Sequence, residues 1–294
     1  MSEANMSSQI AAEVLRIARN EKKLKVWRYV ALSLLVVLLF SFIFNRKPVT
    51  AGHLAVVNVE GMIDSKNDIW RQLKKINYTT TKGVLVLINS GGGTVGDSER
   101  LYNSFKSLQE NMPVEILIET QATSGAYLAA LAGDKIYAYN SSLIGSVGVV
   151  FQNVLLGNLF DRYGIDVEVL TTGSYKGYPN VFESMPEEVK EHFEQLINDD
   201  FDWFVQLVKE RRGLTSTELI DQAQVYMALR GLEYGLIDGI SNYDEAITRL
   251  KEKTGSLPVH NLDVDEDAWL PKLTGKKASL GSVNWSDLLQ PRVI

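Results

Sequence analysis

From His53 onward, short apolar runs rich in β-branched residues alternate with segments of helical periodicity. The apolar runs predict strands at 53–63, 83–89, 113–120, 135–139, 146–151 and 167–172. Apolar residues at helical spacing predict helices at 97–111, 124–134, 153–164 and 186–212. This order is typical of an α/β fold in which crossover connections join the strands.

The composition excludes several classes of function. A net charge of −6 argues against a nucleic-acid partner, because phosphate binding needs a concentrated basic surface. The absence of cysteine excludes disulfides, thiolate metal sites and a cysteine nucleophile. The three histidines, His53, His192 and His260, lie in no recognisable motif and are expected to be surface residues. We therefore expect no metal and no cofactor.

Residues 29–45 form an uncharged, almost entirely apolar segment with basic residues on both sides. This length is at the short end of the about 17–25 residues that cross a hydrocarbon core. A cleaved signal peptide is the main alternative, but charged residues and Pro48 stand where its cleavage site would lie. A buried core helix would rarely have basic flanks. The pattern favours an uncleaved transmembrane anchor at 26–47.

The charges around this segment predict its orientation. Six basic residues precede it (Arg16, Arg19, Lys22, Lys23, Lys25 and Arg28), whereas only Arg46 and Lys47 follow closely. By the positive-inside rule, residues 1–25 are cytoplasmic and the chain after the anchor is extracytoplasmic. We assign residues 48–254 to one folded domain and residues 255–294, which are weakly periodic, to a C-terminal tail.

A glycine cluster at 90–94 follows the second predicted strand and precedes a helix. Glycines at such a turn let backbone amides approach a ligand oxygen. One interpretation is an oxyanion hole. Another is dinucleotide binding, because Gly91, Gly93 and Gly96 match G-x-G-x-x-G and Glu119 could contact a ribose. A plain tight turn is the third.

Two further motifs carry candidate catalytic groups. Ser124 stands where a strand ends and a helix of small residues begins, a position in which serine most often only caps the helix. Lys176 lies in the loop 173–177, rich in glycine and tyrosine, and a lysine can act as a base if its surroundings keep it neutral. The usual fate of a loop lysine is solvation, so neither motif decides the function alone.

Together, in this order, the motifs resemble the signal peptide peptidase A family of membrane-bound serine–lysine proteases. The resemblance covers roughly residues 53–250 and rests on seven segments: Ser90-Gly91-Gly92-Gly93, Thr123-Ser124-Gly125-Ala126-Tyr127, Gly133-Asp134-Lys135-Ile136, Gly145-Ser146-Val147-Gly148-Val149, Tyr175-Lys176, Arg211-Arg212-Gly213-Leu214 and Gly235-Leu236-Ile237-Asp238. Gly91 replaces the family's turn proline, Ala126 replaces a glycine, and 223–231 departs from the usual Asp-Gly-Arg. The chain is similar to the short, single-repeat members.

This resemblance implies a ClpP/crotonase-like α/β fold of repeated β-β-α units behind the transmembrane helix. It implies that Ser124 is the nucleophile, Lys176 the general base, and Gly93 and Gly125 the oxyanion donors, with Ser146 holding the lysine. Short members assemble into homo-oligomeric rings, and the resemblance leaves open whether serine and lysine come from one chain or from neighbouring subunits. The implied partners are the bilayer of the bacterial inner membrane and apolar peptide substrates such as signal-peptide remnants. A catalytically silent membrane scaffold of the same fold is the alternative.

Overall fold

The computed structural model describes Trp27, residues 32–35 and residues 52–263. Most of the predicted anchor and all of residues 264–294 lie outside these residues. Within the described part, no helix combines the length and the apolar character needed to cross a bilayer. Trp27 and residues 32–35 are helical.

The described domain has a mixed α/β fold, as the alternating pattern predicts. Its strands are β1 (His53–Ile63), β2 (Thr81–Gly93), β3 (Val114–Thr123), β4 (Lys135–Ala138), β5 (Leu143–Gly145), β6 (Val225–Met227), β7 (Gly239–Ile240) and β8 (Val259–Asn261). Its helices are α1 (Ile69–Lys75), α2 (Val95–Gln109), α3 (Gly125–Ala130), α4 (Gly157–Arg162), α5 (Glu187–Arg212), α6 (Ala228–Glu233) and α7 (Tyr243–Thr254).

All eight strands belong to one sheet, whose main path is β6-β5-β3-β2-β1-β8. The pairing is parallel except between β5 and β6. Strand β3 pairs with β4 along its first half and with β5 along its last three residues. This division lets the sheet change direction beside the carboxyl end of β3, where the chain turns into α3.

Several elements differ from the sequence prediction. Residues 146–151 and 167–172 form no strand, and the predicted helix at 153–164 is reduced to α4. Helix α1 separates β1 from β2, so the first unit is β-α-β-α rather than β-β-α. Strand β8 pairs with β1, so the sheet continues past the domain boundary at 254 into the predicted tail.

Alternate residues of the strands fill two hydrophobic layers. On β1, Ala55, Val57 and Val59 belong to the larger layer, which α2, α3 and part of α5 cover. Leu54 and Val56 point to the opposite face and pack under α7. A strand buried on both faces reads as a continuous apolar run, as the sequence of β1 does.

Three of the motifs that carry the family resemblance meet in one polar cluster around Asp238. The carboxylate of Asp238 accepts hydrogen bonds from the Ile136 amide at 2.8 Å, Arg212 Nη1 at 3.0 Å and Lys135 Nζ at 3.0 Å. Arg211 donates to the carbonyls of Leu131 and Gly133. These contacts fasten the end of α5 to the segment between α3 and β4. Their role is therefore structural.

The Asp238 cluster predicts a dependence of stability on pH. Burial alone would raise the pKa of Asp238, but the Ile136 amide, Arg212 and Lys135 together outweigh it and hold the pKa below its ordinary value. The folded state then holds its proton less tightly than the unfolded chain, so the contribution is present above about pH 4 and is lost on further acidification. We expect Asp238→Asn to lower the free energy of unfolding by about 1–3 kcal/mol at pH 7. Urea denaturation should show this difference shrinking towards pH 3; a difference independent of pH would contradict it.

Residues 149–186 form an arm in which no residue is buried. The arm carries exposed apolar side chains, among them Val150 (71% exposed) and Leu170 (86%). It contacts the first turns of α5 through rings and one hydrogen bond. Phe151 stacks on Phe193 at 5.2 Å, and the Tyr175 hydroxyl donates to Glu188 at 2.7 Å. An apolar surface of this extent is typical of a protein interface.

Candidate active site

Ser124 occupies a strained backbone conformation between β3 and α3. Its φ of 52° and ψ of −128° are costly for any residue with a side chain. The hydroxyl makes no capping hydrogen bond to α3, so the helix-cap interpretation is wrong. The Ser124 amide donates to the Gly145 carbonyl at 2.9 Å, and its carbonyl accepts from the Leu128 amide at 3.0 Å. The side chain is thus held at a sharp strand-to-helix turn, an arrangement that projects a nucleophile from a sheet.

The glycine turn at the end of β2 packs directly against this serine. Gly92 has a φ of 113°, and a Cβ built on it would lie 3.0 Å from the Ser124 Cβ and 3.0 Å from the Gly125 nitrogen. A Cβ built on Gly93 would collide with the Ile63 carbonyl group. Glycine is therefore required at both positions. At Gly93 the reason is the close approach of Ile63, and at Gly92 it is both close approach and the positive φ.

The same contacts argue against the dinucleotide-binding interpretation. Residues 123–125 fill the space next to Gly92, and the end of β1 fills the space next to Gly93. A pyrophosphate needs open space beside the glycines and a helix N-terminus. Here the turn instead serves as a wall of the Ser124 site.

Gly125 lies next to both Ser98 and Gly93. A Cβ built on it would collide with the Ser98 hydroxyl and would lie 3.3 Å from the Gly93 nitrogen. The backbone amides of Gly93 and Gly125 therefore belong to segments that touch each other beside Ser124. This is the arrangement that two oxyanion donors require, since both must lie near the attacked carbonyl.

A small pocket opens next to Ser124. It is lined mainly by glycine backbone and apolar side chains, with Ser98 and Asp200 as further polar residues: Gly93, Val95, Ser98, Ser124, Gly125, Leu128, Gly148, Val149, Asp200, Trp203 and Phe204. The lining comes from the end of β2, from Ser124, from α2, α3 and α5, and from the segment after β5. Sequence reasoning missed Ser98, whose position within a helix gives no signal of its own.

Ser146 lies close to this region but not in the pocket lining. It has a left-handed φ of 52°, and its amide donates to the Gln224 carbonyl at 2.7 Å. Because Gly145 accepts the Ser124 amide, Ser146 is one residue from a direct backbone contact with Ser124. The structure therefore brings Ser124, Gly93, Gly125 and the Ser146 segment together.

Lys176 does not line this pocket. It is exposed in the arm, and none of the described residues that line the Ser124 pocket comes from the loop 173–177. Its neighbour Tyr175 holds the loop against α5 through Glu188 and an edge contact with His192, with ring centroids 5.3 Å apart. Within one chain, the predicted dyad is thus divided between the sheet and the arm.

The histidines have no part in this site. His53 and His260 stack with ring centroids 4.5 Å apart where β8 joins β1. Burial, with a smaller contribution from the charge of His260, lowers the pKa of His53. His192 packs against Tyr175. Among the described residues, no group of three or more potential ligands could hold a metal ion.

Comparison with known proteins assigns the chain to a family. The model of peptidase family S49 matches residues 106–256, a segment that contains Ser124, Ser146 and Lys176. The chain belongs to peptidase family S49. The predicted relationship to signal peptide peptidase A is thereby confirmed.

Several curated relatives of this family member are named as proteases or peptidases. A putative protease of Methanocaldococcus jannaschii is 32% identical over 175 residues, which cover 59% of this chain and 56% of that protein. Protease 4 of Haemophilus influenzae is 27% identical, with 68% of this chain and 34% of that protein covered. A putative signal peptide peptidase SppA of Enterococcus faecium is 26% identical, with 62% and 54% covered. The matches thus span about half or less of these three relatives.

Solved structures that are similar to this chain include the following two. A mutant of the 1510-N membrane-bound stomatin-specific protease is 15% identical, with 74% of this chain and all of that chain covered, at a TM-score of 0.44. A ClpP1 mutant from Listeria monocytogenes is 14% identical, with 65% and 94% covered, at the same TM-score of 0.44.

Proposed function

We propose that this S49 family member is a membrane-anchored serine endopeptidase of ClpP/crotonase-like fold that hydrolyses extended apolar peptides. The observation that carries the proposal is the backbone of Ser124, which is strained at a strand-to-helix turn and backed by Gly92. Strain of this kind persists where the surrounding structure enforces it, and it is concentrated at functional sites. A serine serving only as a helix cap would need neither the strain nor the glycine wall.

The reaction begins when the Ser124 oxygen attacks the carbonyl carbon of the scissile peptide bond. Neutral Lys176 takes the hydroxyl proton and later delivers it to the leaving amine. The amides of Gly93 and Gly125 donate to the oxyanion of the tetrahedral intermediate. Collapse of the intermediate gives an acyl-enzyme, and a water molecule, deprotonated by the same lysine, releases the acid product and restores Ser124.

In this proposal a neighbouring subunit supplies Lys176. The loop that holds it is exposed, and the arm around it carries apolar side chains that a second copy of the chain would bury. A homo-oligomeric ring would place the arm of each subunit over the pocket of the next. Ser146, whose segment borders Ser124, would then meet the incoming lysine.

The peptide would bind as an added strand beside the pocket. The outer edge of β1 is closed to such pairing, because the side-chain amide of Gln72 makes two hydrogen bonds to the backbone of Asn58 and Asn67 donates to the carbonyls of Glu60 and Met62. Gly148 and Val149 instead line the pocket in a segment that has left the sheet. Its backbone groups suit recognition by strand addition.

The remaining parts of the proposal concern location. Residues 26–47 would anchor the protein in the bacterial inner membrane, with the N-terminus cytoplasmic and the catalytic domain outside the cytoplasm. Such a placement would bring the enzyme to apolar peptides, such as the remnants of cleaved signal peptides, at the surface of the bilayer.

Covalent labelling tests the nucleophile. A fluorophosphonate should modify the full-length protein in detergent or vesicles at Ser124, because an activated serine attacks phosphorus as it attacks a carbonyl. Ser124→Ala should abolish labelling, whereas Ser141→Ala, which changes an exposed serine outside the pocket, should not. Mass spectrometry identifies the modified peptide.

Ser124→Gly provides a check on the conformation. It should be unlabelled yet more stable than Ser124→Ala, because glycine adopts a positive φ without the strain that alanine retains. Persistent labelling of Ser124→Ala would exclude Ser124 as the nucleophile. A wild-type protein that is folded, oligomeric and never labelled would favour the catalytically silent scaffold.

A further inference from the structure

Ser98 has an unusual environment for a buried hydroxyl. It lies in the first turn of α2 with 0% of its surface exposed, and its Oγ has no hydrogen-bond partner within residues 52–263. Two other buried side-chain atoms in that range share this property, Glu115 Oε2 and Arg249 Nη2, but both belong to one ion-paired cluster. Of these three atoms, only Ser98 Oγ belongs to a side chain with neither a hydrogen-bond partner for that atom nor an ion pair. A buried polar atom of this kind is costly and calls for an explanation.

The position of Ser98 suggests an explanation for its unpaired hydroxyl. Its hydroxyl packs against the α-carbon of Gly125, at the place where any side chain on Gly125 would collide with it. Ser98 follows Gly93 by one helical turn, because Thr94 caps α2 and accepts a hydrogen bond from the Asp97 amide. The hydroxyl therefore connects the segment that carries one oxyanion amide with the residue that carries the other.

Ser98 also lines the pocket beside Ser124. The other side chains there are mostly apolar, and the described residues at the Ser98 hydroxyl offer it no acceptor. Its O–H dipole is thus free to turn towards negative charge that develops near Gly93 and Gly125. A preorganised dipole in a water-poor site acts strongly on such charge.

We propose that Ser98 is a positioning residue for this reaction: its hydroxyl fixes Gly125 against the Gly93 segment and directs its dipole at the oxyanion. The inference rests on the proposed function of Ser124. It explains why a polar group is kept in a place where a methyl group would fit with less cost to folding. Stability is given up for stabilisation of the transition state.

Ser98→Ala separates this role from a merely structural one. We expect the fluorophosphonate labelling rate, and kcat for a cleaved peptide, to fall about tenfold, less than the 10²–10³-fold typical of a direct oxyanion donor. KM should change less than about twofold, since ground-state binding is unaffected. The melting temperature should stay level or rise by about 2–4 °C, because an unpaired buried hydroxyl is removed.

Two further variants complete the test. Ser98→Cys keeps the bulk with a weak donor and should remain slow. Ser107→Ala, which changes an exposed serine on the same helix, should match the wild type. Recovery of the rate in Ser98→Cys, or slow labelling together with a lowered melting temperature in Ser98→Ala, would overturn the inference in favour of plain packing. A normal rate in Ser98→Ala would also overturn it. Wild-type protein that is never labelled would instead refute the proposed function itself.

Discussion

Lys176→Met is expected to lower kcat/KM for peptide cleavage by about 10²–10⁴-fold, the usual contribution of a general base. Folding of the subunit should be unaffected, because the Lys176 side chain is exposed in the isolated chain. The measurement is cleavage of a fluorogenic apolar peptide by the full-length protein. Lys190→Met is a matched control: Lys190 is also exposed and lies in the first turn of α5, where its ion pairs are solvated.

Mixing two inactive variants tests which subunit supplies the lysine. When Ser124→Ala and Lys176→Met protomers are dissociated, combined in equal amounts and reassembled, a dyad formed between subunits should restore about a quarter of wild-type activity, since one in four random neighbours pairs an intact serine with an intact lysine. A dyad within one chain would restore none. Near-normal turnover by Lys176→Met alone would remove that lysine from the mechanism.

Gly93→Ala is expected to produce the second large effect. The added Cβ would collide with the Ile63 carbonyl group, so the end of β2 must shift and carry the Gly93 amide with it. Loss of one oxyanion donor slows acyl transfer by about 10²–10³-fold. Labelling kinetics and peptide turnover should fall together, with KM little changed.

Gly91→Ala is the matched control on the same turn. A Cβ on Gly91 would lie 3.8 Å from Gln121 Nε2 and 3.9 Å from Thr123 Oγ1, which are ordinary contacts, and its φ is not in the left-handed region. We expect activity within about twofold of wild type and stability equal or higher by about 0.4–1 kcal/mol. Equal losses in both variants would show that the turn responds to any substitution, and would leave the Gly93 amide without a special role.

The main elements of the fold could be predicted because their signals are local. Helix α5 was predicted at 186–212 and runs from Glu187 to Arg212, since apolar residues at helical spacing and acidic residues at the first turn both mark it. Strands β1 and β3 were predicted closely because each is a local run of apolar, largely β-branched residues. Residues 146–151 were wrongly predicted as a strand, because left-handed Ser146 redirects the chain and the Gln224 carbonyl holds it there.

The C-terminal boundary was missed for a different reason. Residues 259–261 have no strong strand signal, and they form β8 because the edge of β1 offers backbone groups at Leu54–Val56. Such pairing depends on a partner about two hundred residues earlier in the chain. The Asp238 cluster likewise joins three motifs that the sequence shows only as separate segments.

The sequence by itself determined the α/β class, the candidate residues Ser124 and Lys176, the glycine turn and the family. The sequence could not decide whether Ser124 is a helix cap or a candidate nucleophile, because the same local residue types are compatible with both roles. Only the tertiary structure decided this, through Gly92 behind the serine and the Gly145 carbonyl that receives its amide. Both contacts come from strands distant in the chain, and together they enforce a backbone conformation that no local preference would produce.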